Sequence, residues 1–478
     1  MTRQTIARNT FLYTLVYFLP FLTSFITMPI VTSSLTSSEY GVLSVSENFA
    51  DILVIFVSLQ MSNAIPRLIH DYGQDKKGFF STILYSSTAL SFFVVGLIIL
   101  FSGFIYSTFL PHTPEEYHHV ISFSLLNMCL NLCLRTNELF WIGNGRGQMV
   151  ITKSVIQLIS KVILLYVLLR FMNMGLDGVM WSNTISILIS LGFALFVNHE
   201  YLGLSFEKKI LKEVLHFSLP IIPQSIGSFL FMYSDVFVME KFVSLSAIGL
   251  YSIANRFSNI LKMFVNAVND ANQFHIFKVL TNKESTPSEL INECLRNNLI
   301  LSTLGYMSIC MFAPELLYFL APPRYFPANE FIVILSASFI LRSVYNAYMT
   351  NMAYRKEMKW FSAITLSCGV LNLVLNLALL PKFGAISAAY TTVLSFGFTA
   401  LLAYLINRKH IHWERENWAF IAMSGVMVSI GLIFNYVMLE DTVFRISLKI
   451  VSVLTVLVFL KLTKFFDVIT YLKNIKKG

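Results

Sequence analysis

A chain of 478 residues that is 56% hydrophobic and only 13% charged, with mean hydropathy +0.67, lies far from soluble domains, which carry about 25% charged residues. Its net charge of +9 comes from Lys and Arg gathered into alternate gaps between apolar stretches, which argues against nucleic acid as a partner. Five Cys, mostly inside those stretches, give neither a disulfide framework nor metal-ligand spacing, and no cofactor is expected.

Fourteen apolar stretches follow one another at 9–32, 41–66, 79–107, 120–143, 153–171, 178–198, 213–239, 247–275, 296–320, 328–352, 359–380, 385–406, 417–438 and 443–464. Each is long enough to cross the roughly 30 Å hydrocarbon core as a helix. The fold class expected is therefore an all-α polytopic membrane protein embedded in a lipid bilayer. Arg3 and Arg8 precede the first stretch as in a signal peptide, but its length and lack of a small-residue cleavage site make it the first helix. With the N-terminus inside, 24 of the 35 Lys and Arg fall at cytoplasmic ends and six, Arg170, Lys241, Arg324, Lys382, Arg445 and Lys449, at outer ends. That bias places both termini in the cytoplasm.

The chain also repeats itself. Ser38-Glu39-Tyr40-Gly41-Val42-Leu43-Ser44-Val45 aligns with Ser246-Ala247-Ile248-Gly249-Leu250-Tyr251-Ser252-Ile253, and further on Asn137 aligns with Asn346, Arg146 with Arg355 and Gly175 with Gly384. Six helices separate equivalent points, and an even number preserves direction, so the halves are parallel repeats. Residues 1–205 are expected to form one lobe and 206–412 a second, with 413–478 adding two helices and a basic cytoplasmic tail.

Leu215-His216-Phe217-Ser218-Leu219-Pro220-Ile221-Ile222-Pro223, then Ser234-Asp235 and Ala247-Ile248-Gly249-Leu250-Tyr251-Ser252, resemble the start of the second lobe of polysaccharide biosynthesis exporters. Pro20, Pro29 and Leu35-Thr36-Ser37-Ser38-Glu39-Tyr40-Gly41 resemble their opening. The chain is thus similar to the O-antigen (Wzx-type) repeat-unit flippases of the multidrug/oligosaccharidyl-lipid/polysaccharide exporter superfamily. The resemblance implies a V-shaped bundle of two six-helix lobes plus two helices. It implies a transporter, not an enzyme, moving undecaprenyl-pyrophosphate-linked oligosaccharide of O-antigen, lipopolysaccharide or another surface polysaccharide across a bacterial inner membrane. It implies alternating access, with H+ or Na+ as coupling ion and a polysaccharide polymerase or ligase as partner. A cation-coupled small-molecule exporter and a lipid II flippase are the alternatives. Against the latter, the first stretch has no charge beyond Arg8 and the second is acidic until Arg67.

Polar series inside the stretches mark where chemistry is expected. In the second, Glu47 and Asp51 are four residues apart and share a face. In the fourth, Asn127, Asn131, Arg135 and Glu138 make another one-sided series, with Arg135 and Glu138 spaced for a local pair. The fifth has Lys153, read as an inner-boundary marker, then Gln157 and the deeper Lys161. The seventh carries Asp235. In the eighth, Asn255, Asn259, Lys262, Asn266, Asn269, Asp270 and Gln273 form one stripe with Arg256 about 100° to its side. The tenth offers Arg342 beside Asn346, and the eleventh Asn372 and Asn376, spaced to bond neighbouring helices. Ionised groups at this depth must face water, ligand or polar helices. Arg256, Lys262, Arg342, Arg135 and Lys161 are expected to meet the pyrophosphate, and Asn255, Asn259 and Asn266 the sugar hydroxyls. Glu47, Asp51, Asp270 and Asp235 are expected to couple an ion or form a gate. The Gly143-Asn144-Gly145-Arg146-Gly147 turn lacks the Lys-Ser/Thr of a nucleotide-binding loop. His112, His118 and His119, in the outer loop near 108–119, are read as a solvated turn rather than a metal site.

Overall fold

The computed structural model describes residues 19, 22–73, 75–203, 205–281, 286–436 and 442–462. Arg3, Arg8, Pro20, Lys283 and the basic tail from Lys464 lie outside the described residues. The chain forms two compact units, Met1–Gly249 and Leu250–Gly478.

Unit 1 begins with α1 (Leu22–Ser34) and α2 (Ser37–Val57), whose start is set by a capping box. Thr36 Oγ1 accepts the Glu39 N–H at 3.2 Å, and the Glu39 carboxylate accepts the Thr36 N–H at 2.7 Å. The short α3 (Ile65–Leu68), α4 (Lys76–Leu100), α5 (Ser102–Phe109), α6 (His118–Gly143), α7 (Gly147–Tyr166) and α8 (Gly175–Val197) follow. The amphipathic α9 (Lys208–Ser218) and α10 (Ile222–Met239) complete the unit, joined by a 3-10 turn at Leu219–Ile221 where Pro220 falls. α6 is the centre, packed on α2, α4, α7 and α8. α10 packs on α2, and α9 on α4, so two helices that the sequence reading placed in the second lobe lie within this unit.

α11 (Leu245–Thr281) opens in unit 1 and continues into unit 2, which holds α12 (Pro287–Leu320), α13 (Ala328–Tyr354), α14 (Met358–Phe383), α15 (Ile386–Asn407), α16 (Glu416–Tyr436) and α17 (Thr442–Leu462). α13 lies between α12 and α15, α14 packs on α15, and α16 on α12. Among the described residues nine helices are long and apolar enough to cross a membrane, or ten if Lys208–Leu230 and Tyr233–Met239, bent by 61° at the break between them, are one span. The other expected spans coincide with α1, with the polar-striped α6 and α11, and with α17, which carries Arg445 and Lys449.

The repeat is visible in the backbone. Gly175 and Gly384 both adopt positive φ, at +54° and +68°, Gly175 as the first residue of α8 and Gly384 two residues before α15. The helices α6 and α13 end in the same turn: Arg146 N–H donates to Trp141 O at 2.8 Å, and Glu357 N–H to Met352 O at 2.9 Å. The left-handed position between cap and bond is Gly145 in one and Lys356 in the other. The structure therefore pairs Arg146 with Glu357, two residues beyond the Arg355 that the sequence alignment chose.

Candidate functional site

On unit 1, α2 turns Val42, Leu43, Val45, Phe49 and Ala50 into the core. Glu47 is left half-buried and Asp51 exposed, close enough for the Glu47 charge to act on Asp51. Asp51 lies about 21 Å along the helix from Ser37 at 1.5 Å per residue. Arg135, about 25 Å along α6 from His118 by the same rise, is exposed, as is Asn131 one turn before it. Charged side chains at such a depth in a spanning helix are costly against hydrocarbon, which fits a face turned to water or ligand. Asn127 leaves the series: it is buried and accepts the Thr184 hydroxyl of α8 at 2.8 Å. Lys161 on α7 is half-buried, and Asp235 on α10 is buried.

Lys153 departs from its reading as a boundary residue. Its side chain is 7% exposed and its ammonium pairs with Glu138 Oε1 and donates to Gln157 Oε1 at 3.2 Å. Arg135 Nη1 stands 3.5 Å from Glu138 Oε2, in the local pair that the spacing suggested. One carboxylate thus serves two cations on two helices.

On unit 2, Ala254, Phe257, Ser258, Leu261 and Val265 of α11 are buried. Tyr306 and Cys310 of α12 and Val333 and Phe339 of α13 belong to the same core as Leu261 and Val265, and Ser258 bonds Ser336 at 3.1 Å. The polar stripe therefore stands one residue, about 100°, round the helix. Asn255, Arg256, Asn259, Lys262 and Asn266 are half-buried along it, and Asp270 is exposed. Arg342 of α13 is half-buried, with its guanidinium 5.8 Å from the Phe396 ring centroid. Lys262 and Arg342 are near enough for their like charges to act on each other. Two cations gathered beside amide side chains favour an anion with polar substituents.

The candidate residues thus divide by unit: Glu47, Asp51, Arg135, Lys161 and Asp235 in unit 1; Arg256, Lys262, Arg342, Asp270, Asn255, Asn259 and Asn266 in unit 2. Asn376 donates to Asn372 at 3.1 Å and accepts the Thr391 hydroxyl at 2.5 Å, a helix–helix bond of the kind expected. The three loop His take separate partners. His112 bonds Glu240, His118 packs edge-on against Tyr106, and His119 meets Asp177 at 2.8 Å. Among the described residues no group of three or more His, Cys, Asp or Glu is placed to hold a metal ion.

Two ionic clusters escaped sequence reading. Lys449, counted as an outer-end lysine, has a side chain 1% exposed and meets Glu315 of α12 at 2.8 Å. Arg445 joins the same carboxylate at 2.9 Å. Their spacing of four on α17 was the available signal. Glu240, just past α10, is fully buried and accepts the His112 N–H at 2.8 Å and the Thr113 hydroxyl at 3.3 Å. Nothing in its local sequence marks it.

The family described as polysaccharide biosynthesis protein matches residues 6–272. The chain is 24% identical over 273 residues to the probable low-salt glycan biosynthesis flippase Agl15 of Haloferax volcanii, a match that covers 55% of this chain and 57% of that relative. It therefore spans little more than half of that relative's length. Over 413 residues it is 22% identical to the uncharacterized membrane protein MJ1375 of Methanocaldococcus jannaschii, covering 80% of this chain and 94% of that one. Among solved structures, the lipid II flippase MurJ in an inward closed conformation superposes with TM-score 0.75 at 14% identity, covering 95% of this chain and 99% of that one. An inward-facing multidrug resistance MATE transporter of the MOP superfamily gives 0.65 at 15% identity, covering 84% and 96%. At these identities the likeness is one of fold.

Proposed function

The chain belongs to the polysaccharide biosynthesis protein family, and from that premise we propose that it is a flippase for a lipid-linked oligosaccharide. The observation that carries this reading is the α11 stripe with Lys262 and Arg342 gathered beside Asn259 and Asn266. Arg256, Lys262 and Arg342 take the pyrophosphate of an undecaprenyl-linked repeat unit, Arg through a bidentate fork and Lys as a point charge. Asn255, Asn259 and Asn266 bond sugar hydroxyls, while the prenyl tail stays in lipid. Arg135 and Lys161 of unit 1 are further phosphoryl contacts. Glu47, Asp51, Asp235 and Asp270 supply the ion-coupling or gating charges, and an ion gradient or the membrane potential drives alternating access. In this reading the protein sits in a bacterial inner membrane, within reach of a polymerase or ligase that consumes the flipped unit, and the charge bias of the loops supports cytoplasmic termini. The fold it shares with MATE transporters favours one second reading, a cation-coupled exporter of small molecules.

Complementation separates the two. In a flippase-deficient bacterium carrying the matched oligosaccharide pathway, the parent restores surface polysaccharide. Arg256→Ala, Lys262→Ala and Arg342→Ala, at equal membrane abundance, leave lipid-linked repeat units stranded inside. Variants that match the parent sink the site assignment, and a parent that moves no glycolipid leaves the small-molecule exporter as the better reading.

A further inference from the structure

We infer that Lys153 and Glu138 are positioning residues that keep Arg135 available as a cation for the phosphoryl group of a diphosphate ester. The inference rests on the function proposed above, and concerns how one of its phosphoryl contacts is built.

The three side chains differ in a way that a simple structural pair does not require. Lys153 is 7% exposed, Glu138 14% and Arg135 55%. The buried member, Lys153, contacts one carboxylate oxygen of Glu138 and is held by Gln157 on its other side. Arg135 stands 3.5 Å from the second oxygen, beyond the roughly 2.7–2.9 Å of a charge-assisted bond. The carboxylate is thus committed chiefly to Lys153. Two cations and one anion leave a charge of +1, and the guanidinium, the exposed member of the three, carries it. With Lys153 neutralised, Glu138, three residues along the same helix, is free to close on Arg135 and cancel it. Lys153 therefore acts on ligand through Arg135 without touching it. The site stands about 12 Å along α6 from its end at Gly143 at 1.5 Å per residue, a depth at which an uncompensated cation is costly in lipid and useful only against an anion in water.

The test titrates the purified full chain in detergent with farnesyl diphosphate, inorganic pyrophosphate and phosphatidylglycerol, for the parent, Arg135→Gln, Lys153→Met, Lys153→Arg and the double variants. The expected result is that K153M weakens farnesyl diphosphate binding about tenfold, the equivalent of one charge-assisted hydrogen bond. K153R restores it. K153M is silent in the R135Q background, and Glu138→Gln added to K153M recovers binding by removing the competing carboxylate. Thermal melting of each variant accompanies the titration, so a folding loss, which the E138Q addition and the R135Q background also report, is told from a binding loss. Binding that R135Q weakens and K153M leaves unchanged overturns the positioning role alone, as does a K153M effect undiminished in the R135Q background. A parent that binds neither diphosphate overturns the functional reading and this inference with it. Phosphatidylglycerol binding as tight as farnesyl diphosphate assigns the site to phospholipid headgroups and overturns the diphosphate assignment.

Discussion

Glu240 shows what a single residue contributes at the end of α10 in unit 1. Its carboxyl is fully buried one residue past α10, and its backbone oxygen accepts the His112 Nδ1–H at 2.7 Å. Burial pushes the carboxyl above the usual range, against the opposing pull of the His112 and Thr113 bonds. The folded chain therefore holds this proton to higher pH than the unfolded chain. The stability so gained is fully present below about pH 4.3, the ordinary Glu value, and is lost as pH rises from there through the raised value. Glu240→Gln keeps an acceptor for His112 and Thr113 but has no proton to lose. The parent should melt at progressively lower temperature as pH is raised from 5 to 8, and E240Q should show a shallower slope in the same scans. Parallel slopes would refute the assignment. Residues of this kind are hidden in a sequence because burial comes from a distant loop. Lys153 is the same lesson in reverse: a lysine near a helix start reads as snorkelling, and only the packing of α6 on α7 reveals Glu138 beside it.

Among elements, the first turns of α2 and α11 cross closely within unit 1. A Cβ on Gly41 would stand 1.9 Å from Leu245 O, and one on Gly249 would stand 2.0 Å from Ser37 O. Ser37 and Ser246 share a hydrogen bond at 2.6 Å in the same crossing. The contact is reciprocal between repeated positions, which explains why glycine occurs at both. Gly41→Ala should force the two backbones apart and cost about 2 kcal/mol, as overpacking does, lowering the melting temperature of the purified protein. A variant as stable as the parent would show that the crossing yields freely. The placement of helices was largely legible, because apolar length and polar gaps follow from the bilayer itself. The repeat was legible from Gly41/Gly249 and Gly175/Gly384, whose backbone demands constrain the residue type. The turn after α13 was not: Lys356 occupies the left-handed position that Gly145 fills in its counterpart, so the alignment slipped by two. The α17 cluster escaped because the spacing of Arg445 and Lys449 marks a shared face but does not name Glu315, which they meet across a tertiary contact.

At the scale of the whole molecule, each unit carries candidate charges of both signs. Glu47 and Asp51 of α2 belong to unit 1 with Arg135 and Lys161, and the Lys262–Arg342 neighbourhood belongs to unit 2 with Asp270. The polar stripes were readable as stripes, since a five-turn series in an apolar helix has few physical uses. Their chemistry, an anion contact in a glycolipid flippase, is the central claim. It is tested most directly by reconstituting the chain in proteoliposomes with an undecaprenyl-pyrophosphate-linked oligosaccharide and following, under an imposed ion gradient, the fraction open to a membrane-impermeant glycosidase. The account predicts that the parent redistributes the lipid between leaflets and that the Lys262→Gln/Arg342→Gln double variant slows this at least about tenfold, the loss of one or more charged phosphoryl contacts. Redistribution no faster than in protein-free liposomes, or a double variant as fast as the parent, would contradict it.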